Sequence, residues 1–323
     1  MRLVILGLAG VDWRGLARRT EASQTPHLAS LLKSTLAAPI PYLPPDRGPA
    51  SWATLATGFP PADHGVIHGD EACFGARRRA SRLSLRLPPL WLSLEAAGVR
   101  TGGVAWPAAG PGASSPGLHI DERFSEASGV AAENWALPLS CAPQAVRNEL
   151  RSLRTHPTQI TGAMLSPFIT RGMNVRQKRN PALPILAAAL ASATTNHAAA
   201  TWLLQRTDWD VSFIHYGWLG NVRESFGRAQ APFDSVVDRA WTFLDQLVGR
   251  LVSLLRDEDR LLVVSPGWLG SGGVAAAPGT ASTGRGPGAV DQLEIAPAIL
   301  AMLGLEADQL PRRAPEWARR GRT

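Results

Sequence analysis

Cysteine and lysine are almost missing from this chain. Cys73 and Cys141 are its only cysteines, too few for a disulfide framework or for a zinc site built from thiolates alone. Lys33 and Lys178 are its only lysines, so the net charge of +7 rests on arginine. No histidine follows His215. Charged residues make up 18% and hydrophobic residues 45% of the chain, a balance that excludes a disordered polymer and allows one large core. The longest apolar stretch, Leu183 to Leu204, is broken by Ser192, Thr194, Thr195, Asn196 and His197, which fits a buried or amphipathic helix and not a membrane span. Residues 1–10 are apolar but run straight into Val11, Asp12, Trp13 and Arg14, without the cleavage region of a signal peptide, so a cytoplasmic location is expected.

The arginines gather in two runs, Arg77, Arg78, Arg79, Arg82 and Arg86, and then Arg312, Arg313, Arg319, Arg320 and Arg322. Either could meet phosphate groups. Neither carries interleaved aromatics or a known nucleic-acid module, so solvated surface is the plainer reading and nucleic acid is not an expected partner.

Strand-like and helical segments alternate. Residues 2–8 form an apolar run, and a helix opens at Pro26. Ala50 to Thr57 reads as a helix closed by Gly58, and Trp91 to Ala97 as another, ended by Gly98 before the strand Thr101 to Trp106. Further on come a helix from Pro184 to Gln205, a strand from Asp210 to Tyr216 and a helix from Pro232 to Leu255 with 3.6-residue periodicity. A core strand over Arg260 to Val264 and a helix over Gln292 to Leu303 complete the pattern. The expected fold is a doubly wound, mostly parallel α/β sheet covered by helices on both faces, one domain over 1–323. Residues 107–180, rich in Gly, Ser and Pro at 108–117, read as an inserted lid, and 271–289 as an Ala/Gly-rich stretch near low complexity.

Several segments carry a specific signal when taken together: GLAGVDW at 7–13, TPHLASLL at 25–32, ASWATLATGFPPADHGV at 50–66, LWLSLEAAGVRTGGVAWPA at 90–108, HYGWLGNVRE at 215–224, LLVVSPGWLG at 261–270 and IAPAILAMLGL at 295–305. They resemble the alkaline phosphatase superfamily and, within it, the type I phosphodiesterase and nucleotide pyrophosphatase branch. That resemblance implies two divalent metals, usually zinc, at the carboxyl ends of the strands, held by aspartates and histidines, with a serine or threonine nucleophile. Such a pair stabilises the attacking and leaving oxygens of an in-line displacement.

Matched residue by residue, the family's first aspartate falls on Ala9. The nucleophile, ten residues before Gly58, falls on Gly48. The aspartate and histidine spaced four apart fall on Gly220 and Glu224, and the SDHG motif reads Ser265-Pro266-Gly267-Trp268, which puts Pro266 and Gly267 in ligand positions. Only Glu224 of these six keeps a side chain able to bind metal, and one carboxylate cannot hold two cations. Phosphate-ester catalysis can demand about 20 kcal/mol of barrier lowering, and Gly48 has no hydroxyl with which to begin.

Substitutes are few. Asp12 reads as a helix cap. Ser51 and Thr54 lie a turn into their helix, facing away from a first-turn nucleophile. His64 and His68, followed by Asp70 and Glu71, form the one tight cluster of donors, for which a structural role is the plainer reading. His215 is expected to line the old pocket. Arg47 and Arg223 are the candidates for holding an anion without metal; the plainer reading pairs them with Asp46 and Glu224. The resulting expectation is a non-catalytic, cofactor-free protein that serves as a binding, scaffolding or regulatory partner, for instance of an active relative. Alternatives are a metal-free receptor for a small anion or nucleotide, a metal-dependent phosphodiesterase with displaced ligands, and a metal-independent hydrolase.

Overall fold

The structure, a computed structural model, describes the chain except for residues 1, 42–47, 74–75, 108–116, 128, 130, 139–141, 143, 171–179, 207, 269–270, 279–287, 316–317 and 319–323. The strands are β1 (Leu3–Leu8), β2 (Thr35–Ile40), β3 (Asp70–Cys73), β4 (Ala76–Arg79), β5 (Thr101–Val104), β6 (Leu118–Ile120), β7 (Val211–Tyr216), β8 (Arg260–Trp268) and β9 (Ser271–Pro278). The α-helices are α1 (Trp13–Glu21), α2 (Pro26–Ser34), α3 (Pro49–Thr57), α4 (Pro61–His64), α5 (Leu90–Ala96), α6 (Arg147–Ser152), α7 (Gly162–Leu165), α8 (Ala182–Gln205), α9 (Trp218–Phe226), α10 (Val236–Val252) and α11 (Ile295–Met302).

Seven strands form one sheet in the order β2-β9-β8-β1-β7-β5-β6. β1 pairs in parallel with β7 on one side and β8 on the other, and β5 pairs in parallel with β7 and β6. β9 runs antiparallel to both β8 and β2. The sheet is therefore mostly parallel with one reversed strand.

Its central strands are apolar on both faces because both faces are covered. In β1, Val4, Leu6 and Leu8 enter one core cluster with residues of α8, α9 and α10, such as Leu203, Val222 and Leu244. Leu3 and Ile5 point the opposite way, into a second cluster with Leu55 of α3, Leu94 of α5 and Ile299 of α11. This period of two, with hydrophobic residues at every position but Gly7, is what a strand in the middle layer of a three-layer sandwich requires. α10 shows the complementary helical pattern, burying Val236, Ala240, Leu244, Leu247, Val248 and Leu251.

Two elements depart from the sequence pattern. The strand read over Arg260 to Val264 continues to Trp268, so Pro266 and Gly267 lie inside β8 and not in a loop after it. The Ala/Gly-rich stretch after it forms β9, whose Val274 to Ala277 are buried, and β2 pairs along its outer side. Small side chains suit a strand pressed between β8 and β2, and pairing overrides their weak strand propensity. The region 107–180 contributes β6 to the sheet and buries Phe124, Leu150, Ile160, Leu165 and Phe168 in the same cluster as α8. The first basic run falls partly on β4, where Arg79 and Arg78 stand opposite Asp70 and Glu71 of β3.

Candidate functional site

Four of the six aligned positions follow or end the strands β1, β7 and β8: Ala9 after β1, Gly220 in the first turn of the helix after β7, and Pro266 and Gly267 at the end of β8. β1 ends at Leu8, and the chain turns through Ala9 and Gly10, the latter with a φ of 82°. Asp12 then starts α1: its Oδ1 accepts a hydrogen bond from the Gly15 N–H at 2.7 Å. It is the helix cap expected of an aspartate at this point. β7 ends at Tyr216, whose carbonyl accepts from the Ala9 N–H at 3.0 Å, and Gly217 leads into α9.

The first turn of α9 lies directly on the β1–α1 turn. A Cβ built on Gly220 would stand 3.2 Å from the Ala9 Cβ, and one on Gly10 would stand 2.5 Å from the Gly220 nitrogen. Ala9 and Gly220, two of the aligned ligand positions, therefore sit on turns packed closely against each other.

Arg223, one turn along α9, reaches back over this junction. Its Nη1 donates to the Gly10 carbonyl at 2.5 Å and to Asp12 Oδ2 at 2.6 Å, and its guanidinium carbon lies 5.2 Å from the centre of the Trp268 ring. Asp12 is thus shared, one oxygen capping α1 and the other paired to Arg223. Its side chain is only 6% exposed, so this is a charge pair largely removed from water. Arg223 is paired with Asp12 and not with its neighbour Glu224, which is exposed on α9.

Pro266 and Gly267 belong to the β8–β9 hairpin, with Gly267 opposite Gly272 and a φ of 105°. The preceding Ser265 is fully buried and donates its hydroxyl to the Val11 carbonyl at 2.6 Å, which ties β8 to the β1–α1 turn.

On the other face of the sheet, aromatic rings fill the space under α3. Trp52 of α3 packs edge-on to Trp106 at 5.3 Å and to His215 at 4.5 Å between ring centroids. Trp106 Nε1 donates to the Trp52 carbonyl at 3.1 Å. Gly7 permits this packing, since a Cβ there would fall 2.7 Å from the Trp52 ring. His215 is buried at the end of β7 with Nε2 lacking a partner among the described residues. Burial pushes it down to about 3, against the opposing effect of a hydrogen bond with the Ala105 backbone, so the ring is neutral.

Gly48 occupies the N-cap of α3 with a φ of 57°, exposed, and nothing approaches within 4 Å of where a Cβ would be. Arg47 and Asp46 lie outside the described residues. Ser51 and Thr54 are buried. Thr54 is engaged by His64: Nδ1 of His64 accepts from the Val66 N–H at 3.2 Å, so its proton sits on Nε2 and goes to Thr54 Oγ1, 3.1 Å away. Burial pushes His64 down to about 4. His68 is exposed, so the two histidines are not held in one cluster.

Of the six aligned positions only Glu224 has a donor side chain, and it faces solvent. Among the described residues no three His, Cys, Asp or Glu side chains are grouped so as to hold an ion. The residues do not fit a two-metal centre, which needs several charged or imidazole ligands per ion.

The sequence profile described as Type I phosphodiesterase / nucleotide pyrophosphatase matches residues 3–265. The chain belongs to this family. The matched residues of this phosphodiesterase-family chain take in β1, α3, β7, α9 and β8 as far as Ser265, and with them Ala9, Gly48, Gly220 and Glu224. No curated protein matches the chain. Among solved structures, phosphonoacetate hydrolase from Sinorhizobium meliloti 1021 in complex with phosphonoformate is similar at 16% identity and a TM-score of 0.48, over 82% of this chain and 55% of that one. Murine ectonucleotide pyrophosphatase / phosphodiesterase 5 is similar at 12% identity and a TM-score of 0.44, over 82% of this chain and 56% of that one. This phosphodiesterase-family chain therefore spans a little over half the length of each of those proteins.

Sequence reasoning missed the Asp12–Arg223 pair and the ring contact with Trp268. The pair spans 211 positions, and no local pattern signals it. The cap signature of Asp12 was legible, and its second oxygen was not.

Proposed function

We propose that this chain is a non-catalytic member of the phosphodiesterase family that acts by binding another protein as a scaffold or regulator. The observation that carries the reading is the closed junction between Ala9 and Gly220, held under the Arg223 guanidinium. Where the family's chemistry calls for carboxylates around a cation, the chain has backbone in contact and a cation of its own. Trp52, Trp106 and His215 occupy the space beneath α3, and a filled site supports a scaffold more than a receptor. The anion-receptor alternative has less support, because Asp12 already neutralises Arg223 and would repel a second negative group. A cytoplasmic location is part of the proposal and rests on the scarcity of cysteine. No helix among the described residues is long and apolar enough to cross a membrane.

The test is turnover of bis-p-nitrophenyl phosphate with zinc or manganese added, together with metal analysis of the purified chain. The expected result is a rate indistinguishable from buffer and less than one equivalent of bound metal. Metal-dependent turnover abolished by Glu224→Ala would sink the reading and favour displaced ligands. Purification from the native host is expected to bring down a stoichiometric protein partner.

A further inference from the structure

Arg223 touches all three segments that carry the aligned ligand positions. It grows from α9, between Gly220 and Glu224; it donates to the Gly10 carbonyl beside Ala9; and it lies against Trp268, next to Gly267. Its carboxylate partner is Asp12, buried to 4% exposure in the turn that follows β1. A divalent ion in a metallohydrolase supplies two things to such a junction: positive charge against buried carboxylate, and mechanical linkage between strand ends distant in sequence. The guanidinium supplies both, with a fixed planar geometry and a charge that no physiological pH removes.

We infer that Arg223 has taken over the structural and charge-balancing role of a divalent ion at these strand ends, so that the fold is held together there by its own cation and is indifferent to metal. The inference deepens the non-catalytic reading, and it can fail separately from it. A chain without turnover could still depend on a structural metal, and a chain with turnover could still be clamped by Arg223.

The interaction is specific in its chemistry. One Nη1 group serves both the Gly10 carbonyl and Asp12 Oδ2. Asp12 Oδ1 is committed to the Gly15 N–H. Removing the guanidinium would leave a charged carboxylate in a largely dry position with one oxygen unpaired. Removing the Asp12 charge at the same time, by Asp12→Asn, preserves the capping oxygen and relieves the imbalance.

The experiment is thermal melting of the full chain at neutral pH, with and without EDTA and with one to two equivalents of zinc, for the parent, Arg223→Met, and Arg223→Met combined with Asp12→Asn. The parent is expected to melt at the same temperature in EDTA, in zinc and in plain buffer. Arg223→Met is expected to melt roughly 5–10 °C lower, and zinc is not expected to restore it. The double variant is expected to recover at least half of the loss. A parent destabilised by EDTA, an Arg223→Met variant that melts like the parent, or one rescued by zinc would each overturn the inference. Should Arg223→Met not fold at all, folding of the double variant is the expected result, and failure of both overturns it. None of these readouts involves a substrate, so turnover measurements report on the non-catalytic reading independently.

Discussion

Three histidines of this chain are held neutral by burial. His64 and His197 are pushed down to about 4 and His215 to about 3, in each case chiefly by loss of water. In the unfolded chain all three would protonate near the ordinary imidazole value of about 6.5. Between 6.5 and about 4 the unfolded state therefore binds protons that the folded state refuses, and stability falls as pH falls through that window. The urea midpoint is expected to be flat above pH 7 and to drop steadily from 6.5 to 4. His64→Asn should make that slope shallower while lowering stability at pH 7 through loss of the Thr54 and Val66 contacts. A slope unchanged by the substitution would mean that His64 is not among the groups responsible. His215→Phe is expected to cost about 1 kcal/mol at pH 7, because it removes an unpartnered buried nitrogen and keeps a ring on Trp52 but gives up the hydrogen bond with the Ala105 backbone.

At the same scale, the position aligned with the family's histidine in SDHG resists its return. Gly267 has a φ of 105°, and a Cβ there would lie 2.3 Å from the Ser271 carbonyl. Gly267→His is expected to cost about 2–4 kcal/mol in chemical denaturation and to confer no zinc binding. The sequence states which side chain is absent at this position; the backbone angle that keeps it absent follows from hairpin pairing to β9 and is invisible locally.

Between elements, two helix starts show how distant residues complete local signals. α2 begins at Pro26, a legible N-terminal mark, but its first N–H groups are satisfied from another helix. Asp245 of α10, buried to 2% exposure, accepts from Leu28 N–H at 2.8 Å and His27 N–H at 3.2 Å. A carboxylate at a helix N-terminus also meets the positive end of the helix dipole. Asp245→Ala is expected to cost about 2–3 kcal/mol, read as a shift of the urea midpoint with little change in slope. The packing of α9 on the β1–α1 turn gives a second expectation. Gly10→Ala would strain a φ of 82° and push a methyl into the Gly220 nitrogen, so it should destabilise by roughly 2–4 kcal/mol. Legibility at this scale followed side-chain size. The strands with large branched residues, β1, β7 and the first half of β8, read clearly, and so did the 3.6 period of α10. β9 is built from Gly, Val and Ala, and only its partners on either side make it a strand.

For the molecule as a whole, the alternation of strands and helices, with both faces of the strands apolar, announced a covered and mostly parallel sheet. The reversal of β9 follows a strand, β8, that is longer than its hydrophobic signal, and it could not be read from periodicity. The segments of the motif frame at 7–13, 215–224 and 261–270 fall at or beside the ends of β1, β7 and β8. What fills that place, a guanidinium on one face and a tryptophan–histidine stack on the other, comes from residues whose role appears only once the chain has folded.

The contact of α9 with the turn after β1 has one more consequence. A Cβ on Gly220 would stand 3.2 Å from the Ala9 Cβ and one on Gly10 2.5 Å from the Gly220 nitrogen, so neither glycine can be enlarged alone without crowding the other segment. Any larger residue there would require the β1–α1 turn to move with it. The turn and the helix start are expected to change together or not at all, while the surface around them varies freely.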